Sequence, residues 1–135
     1  MSNNFFCPLP WNHLMFKQAG TVQACCETYN DQFQPESTIQ ATANVDVMKQ
    51  LRLDMLDNDT VPEMCTKCYN REKFQDFSVR INAINLHPHW TPETAQAVTN
   101  ADGSVDNFRL EHLDIRWSNL CNYKCRFCGI QSSNL

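Results

Sequence analysis

An α+β fold is predicted for this chain by three observations: a glycine turn between two short β-favouring runs near the start, apolar residues three and four apart through the middle, and strict alternation around residue 115. Residues 5–26 read as a lead-in loop and a β-hairpin, with His13–Phe16 as one strand and residues 21–24 as the other. Gly20 stands at the turn, where a positive φ costs it little. Residues 29–42 are mostly Gln, Asn, Ser, Thr and Pro without periodicity, and this predicts a loop. Over residues 44–57, Val45, Met48, Leu51, Met55 and Leu56 form a helical stripe with Asn44 as the expected N-cap, and Asp57, Asn58 and Asp59 close it. A second helix, expected to be the longest element, starts around residues 62–68 and runs on through Phe74, Phe77, Ile81 and Ile84. Thr91 followed by Pro92 is a helix-start signal, giving a short helix over Pro92–Val98. Asn100 to Gly103 is a turn signal. Leu113, Ile115 and Trp117 then alternate with Asp114 and Arg116, which predicts a strand.

With 135 residues, the chain is long enough for one core, and its 42% hydrophobic content is ordinary for a soluble globular protein. A net charge of −4 without clustered Lys and Arg excludes a phosphate-backbone footprint, so no nucleic acid partner is expected. No stretch approaches the ~20 apolar residues of a membrane span, and the opening Met1-Ser2-Asn3-Asn4-Phe5-Phe6 lacks the basic and apolar regions of a signal peptide. No membrane association and a cytoplasmic location are therefore expected. In a reducing compartment, eight cysteines in ligand-like groups point to metal rather than to disulfides.

Those cysteines fall into two sets. Cys121, Cys125 and Cys128 stand in a Cys-x3-Cys-x2-Cys run directly after the last predicted strand. Four thiolates close a [4Fe–4S] cluster, so three within eight residues suggest an iron left open for another ligand. Cys7, one of the adjacent pair Cys25 and Cys26, and the pair Cys65 and Cys68 make up the second set. Four thiols suffice for a closed [4Fe–4S] cluster or a tetrahedral zinc. The hairpin carries one cysteine before it and another at the end of its second strand, and a helix start brings two more to the same point. Amides at a helix N-terminus also favour the thiolate form.

The run from Cys121 to Cys128, with Phe127 before its last cysteine, resembles the cluster motif of the radical S-adenosylmethionine (radical SAM) enzymes. The resemblance implies a catalytic [4Fe–4S] cluster held by Cys121, Cys125 and Cys128, S-adenosylmethionine chelated to its open iron, and Phe127 near the adenine. It implies reductive cleavage to a 5′-deoxyadenosyl radical that takes a hydrogen atom from substrate, and an electron donor to drive it. It also implies a partial (β/α)6 barrel of roughly 190 residues, scaled from the ~250 of a full barrel. On this reading the chain is the front end of such a protein, with only the first barrel strand, its edges unpaired, and the cluster loop present.

The spacing Cys7-x12-Gly20-x4-Cys25 with the later Cys65-x2-Cys68 resembles the auxiliary-cluster segment called SPASM, and more closely its single-cluster version, the Twitch domain. The likeness extends through Phe6-Cys7-Pro8-Leu9-Pro10-Trp11 and Cys68-Tyr69-Asn70-Arg71-Glu72. It implies a second, auxiliary [4Fe–4S] cluster on Cys7, Cys25, Cys65 and Cys68, with Gly-x4-Cys spacing favouring Cys25 over Cys26. Together the two resemblances imply a Twitch-like domain over 1–104 and the start of a radical SAM barrel over 105–135. Family members with auxiliary clusters often modify peptides, but no residue here selects a substrate. The 135-residue chain alone is expected to be inactive, because the walls that cradle S-adenosylmethionine lie on later strands. The competing reading is a non-catalytic module in which zinc or one iron–sulfur cluster holds the fold.

Single residues complete the expectations. Trp11 is expected to cover the auxiliary site, and Glu72 to pair with a nearby Lys or Arg. Arg116 and Asn122 either position the cluster loop or lie on the surface. His87 and His89 look like a metal pair, but with no further ligand near them in sequence they are read as solvated loop residues.

Overall fold

Gly20, at φ 81°, reverses the chain between β1 (His13–Phe16) and β2 (Val22–Gln23) in the computed structural model, which describes residues 5–29, 31–118 and 120. The two strands pair antiparallel, with Met15 opposite Gln23 and Phe16 opposite Val22. β3 (His112–Ile115) lies parallel to β1 on its other side, His13 facing His112 and Phe16 facing Ile115, so the sheet order is β2-β1-β3. This corrects the expectation of a last strand with both edges unpaired: one edge is taken by the hairpin. Backbone bonds from Glu111 to Asn12 (2.9 Å) and from Arg116 to Phe16 (2.8 Å) extend the ladder at both ends. Trp117 falls outside the strand and is 84% exposed among the described residues.

The helices run α1 (Leu9–Asn12), α2 (Ile39–Thr42), α3 (Asp46–Asp57), α4 (Thr66–Glu72, after a 3-10 turn over Glu63–Cys65), α5 (Val79–Leu86) and α6 (Pro92–Val98). The molecule is therefore α+β. α3 is the longest of these, and it buries Met48, Leu51 and Met55 against Leu9, Trp11 and Leu14. Its stop is as expected, with Asn58 in the left-handed conformation at φ 60°. Its N-cap is Val45, not Asn44. The Asn44 side chain is spent elsewhere: its amide donates to Val105 O at 2.9 Å, and its Oδ1 accepts from Val105 N at 3.0 Å. α6 follows its sequence signals, with Thr91 and Thr94 forming a reciprocal capping box and Pro92 at the first helical position.

Two further expectations are corrected. The long second helix is broken into α4 and α5. Ser78 caps α5 by accepting from Ile81 N at 3.0 Å, and Phe74 and Phe77, the apolar residues that bridged the two halves in sequence, are mainly exposed. The loop over 29–42 contains α2, which Thr38 caps through a 3.1 Å bond from Ala41 N. Phe33 in the same stretch bridges β2, exchanging backbone bonds of 2.8 and 3.0 Å with Val22. No helix among the described residues is long and apolar enough to cross a membrane.

Arg52, on the buried face of α3, holds the chain crossings together. It is 0% exposed; its Nε donates to Pro10 O at 2.9 Å, Nη2 to Ala43 O at 2.6 Å, and Nη1 to Gly103 O at 3.1 Å and Asn44 Oδ1 at 3.2 Å. Burial lowers its pKa to about 10, so it remains charged at neutral pH and its donors stay fixed on those carbonyls. Gly103 approaches α3 so closely, at φ 82°, that a Cβ there would stand 2.3 Å from Lys49 O. Gly103→Ala is expected to cost about 2–4 kcal/mol, combining positive-φ strain with backbone displacement, and urea unfolding of the purified variant reads the loss directly.

Candidate metal centre

Four of the sequence-predicted ligands come from four separate places in the chain. Cys7 precedes α1, Cys25 follows β2, Cys65 ends the 3-10 turn, and Cys68 lies in α4. All four line one cavity of about 30 Å³ with Leu9, Pro10, Ala24, Leu51, Met55, Tyr69, Val79 and Arg80. That volume exceeds the ~10–15 Å³ that a single water needs. All four are free thiols; Cys7, Cys25 and Cys68 are buried and Cys65 is half-buried. Cys26 is exposed and faces a different cleft beside Lys17 and Arg116, so the structure brings Cys25, not Cys26, to the other three.

Backbone amides are aimed at these sulfurs. Glu27 N–H reaches Cys25 Sγ at 3.2 Å, Leu9 N–H bonds to Cys7, and the amides of Arg80 and Val79, in the first turn of α5, bond to Cys68. Such bonds favour the anionic sulfur and, at iron–sulfur clusters, help to set the reduction potential. Burial works against them, pushing Cys7 up to about 12 and Cys65 and Cys68 upward as well. Cys25 is raised first by its hydrogen bond with Cys26 and then by burial, whereas the same bond lowers Cys26 to about 7. Repulsion from Cys68 also raises Cys7, and repulsion from Cys7 and Cys68 raises Cys65. Without a cation at its centre, the pocket therefore holds protonated thiols at neutral pH. A metal that takes the sulfurs must displace those protons, so its uptake strengthens as pH rises.

Two groups take four thiolates. A tetrahedral four-thiolate zinc with Zn–S near 2.3 Å puts its sulfurs about 3.8 Å apart. A cubane instead binds each cysteine through a different iron. Among the described residues, the ligand-type side chains that converge within 4.8 Å of one another are His87, His89 and Glu111.

The rim is fixed by Arg80. Its Nη1 donates to Phe6 O at 3.0 Å, its guanidinium lies 4.7 Å from the Tyr69 ring centre, and its Nε and Nη2 pair with Glu72. Glu72 also accepts from Ser78 Oγ, and Tyr69 Oη donates to Phe5 O. Glu72 thus has the pairing role expected of it, joining α4 to the start of α5 directly behind Cys68. Trp11 is a correction. Its ring packs on Phe6 at 5.6 Å and its Nε1 donates to Thr99 Oγ1 at 2.8 Å, one layer behind the cavity wall that Leu9 and Pro10 form.

Cys121, Cys125, Cys128, Phe127 and Asn122 lie outside the described residues. Arg116, just before them, pairs with Asp114 at 3.0 Å on the exposed end of β3. Glu111 is the ligand-type residue that sequence reasoning missed. It stands 22 residues beyond His89, with no local pattern linking the two. No protein-family model, curated protein or solved structure matches this chain.

Proposed function

We propose that the chain belongs to a radical SAM iron–sulfur enzyme, with an auxiliary [4Fe–4S] cluster on Cys7, Cys25, Cys65 and Cys68 in a Twitch-like, SPASM-like domain. The observation that carries this reading is the shared cavity: four cysteines first grouped by spacing line one apolar pocket, with amide N–H groups on the sulfurs of Cys7, Cys25 and Cys68. In the same reading Cys121, Cys125 and Cys128 hold the catalytic [4Fe–4S] cluster, Phe127 lies against S-adenosylmethionine, and residues 105–135 begin a partial (β/α)6 barrel. When bound, the catalytic cluster and S-adenosylmethionine supply the electron and the sulfonium from which the substrate-oxidising radical comes.

The residues of this chain supply position and environment. Leu9, Pro10, Leu51 and Met55 keep water from the auxiliary thiols, and low water access shifts a cluster's potential. Val79 and Arg80 amides stabilise negative charge on Cys68. β3 lies parallel to β1 and is the outer strand of the sheet among the described residues, as the first strand of a parallel barrel would need to be. The substrate is unassigned; a peptide is the class that the resemblance favours, an external electron donor is required, and the compartment is the cytoplasm.

Anaerobic reconstitution with iron and sulfide, followed by elemental analysis, tests the reading. Uptake near two cubanes per chain is expected, because seven cysteines are assigned to clusters. Purification with a single zinc and no sulfide, unchanged by Cys7→Ala, would instead establish the zinc module.

A further inference from the structure

The turn His87-Pro88-His89-Trp90, closed by a 3.0 Å bond from Trp90 N to His87 O with proline at its second position, presents two imidazoles to one carboxylate. His89 Nε2 lies 2.9 Å from Glu111 Oε2 and 3.1 Å from Oε1, and His87 Nδ1 lies 3.3 Å from Oε2. One donor atom from each of the three falls within 4.8 Å of the others. The carboxylate is held by Trp90 Nε1 at 3.2 Å and Asn12 Nδ2 at 3.4 Å, and the backbone of Glu111 is tied to Asn12 O. The His87 and Glu111 side chains are only 12% and 21% exposed, while His89 is 59% exposed and faces solvent.

As a set of hydrogen bonds this arrangement is overloaded. Trp90, Asn12, His87 and His89 all converge on Oε2, which has two lone pairs. Ligand distances of ~2.0–2.2 Å in a tetrahedral site separate neighbouring nitrogen and oxygen donors by about 3.3–3.5 Å. The observed 2.9 and 3.3 Å are a few tenths of an ångström from that spacing. Burial tends to raise the Glu111 carboxyl, but hydrogen bonds from Trp90 and His89 hold it below the usual range, so it is anionic at neutral pH.

We propose that His87 Nδ1, His89 Nε2 and the Glu111 carboxylate form a binding site for one divalent metal ion of the zinc class. Two imidazoles and one carboxylate leave coordination positions for water or a ligand. Trp90 and Asn12 orient the carboxylate from behind, which is how outer partners tune such sites. The open side meets a cleft of about 440 Å³ that Thr94, Asp106, Asn107 and Arg109 help to line. The site uses nitrogen and oxygen donors alone, stands apart from the thiols, and does not rest on the iron–sulfur reading.

Equilibrium dialysis of the full chain against Zn²⁺, with and without prior cluster reconstitution, tests it. Bound zinc that falls by one ion per chain in both His89→Ala and Glu111→Gln, with affinity at that site down more than about tenfold, supports the site. The same loss must appear whether or not the thiols are loaded, and Cys68→Ala must leave it untouched. His89 is exposed and Gln keeps the shape of Glu111, so circular dichroism of both variants should match the parent. Zinc binding equal in parent, His89→Ala and Glu111→Gln, or no zinc beyond what the thiols take, overturns the proposal.

Discussion

Cys68→Ala is expected to remove about half of the iron from the reconstituted chain, while a combined Cys121→Ala, Cys125→Ala and Cys128→Ala variant removes the other half. The reason is that the two thiol sets are separate in the chain, and that every described member of the first lines one cavity. Cys68 is the cysteine whose sulfur receives two amide bonds, from Arg80 and Val79, so its loss also removes the acceptor that those two amides share. Cys25→Ala should behave like Cys68→Ala, whereas Cys26→Ala should retain its iron, since Cys26 faces away from the pocket. Iron and sulfide analysis of the four variants decides between this and a shared site, in which any one of the changes would empty the chain completely.

Arg52→Met is expected to destabilise the fold by about 3–5 kcal/mol, the loss range for breaking a buried charged network. Methionine keeps most of the apolar stem but leaves Pro10 O, Ala43 O and Gly103 O without their donor. Each buried acceptor left unpaired costs about 1–3 kcal/mol, offset in part by the desolvation that the guanidinium no longer suffers. Out of a total stability of about 5–15 kcal/mol this is a large share. Arg52→Lys keeps the charge but reaches fewer carbonyls, so it should recover only part of the loss. Urea unfolding followed by the fluorescence of buried Trp11 measures both, and a change below about 1 kcal/mol in Arg52→Met would show that water replaces the guanidinium freely.

Local chemistry was readable in the sequence, and long-range placement was readable only where a spacing pattern carried it. Gly20 marked the hairpin turn, and Thr91-Pro92 marked α6, because a positive φ and a cap are decided within a few residues. The break between α4 and α5 was missed because Phe74 and Phe77 continue an apolar period that the fold does not bury. Ser78, a good cap by residue type, was hidden inside that period. The cavity cysteines were legible as a group from their spacing in the sequence. Glu111 was not, since it reaches His87 and His89 only through the pairing of β3 with β1, which no local interval announces. Arg52 reads as a polar residue on a helix, and it is buried because carbonyls from three distant segments close around it.

That same β1–β3 pairing sets an order on synthesis. His13 and His112 are partners across 99 intervening steps of chain (112 − 13), and closing a loop of that length costs about 4 kcal/mol in entropy, before any constant term. The contact order of the sheet is correspondingly high, which slows folding relative to a chain of local contacts. At about 5–20 residues per second on the ribosome, the inner edge of β1 waits on the order of 5–20 s for its partner to be made. During that interval Leu14 and Phe16 sit beside an open strand edge, the feature by which nascent chains pair with one another. Expression yield should therefore depend on how quickly the segment around residue 112 follows the hairpin.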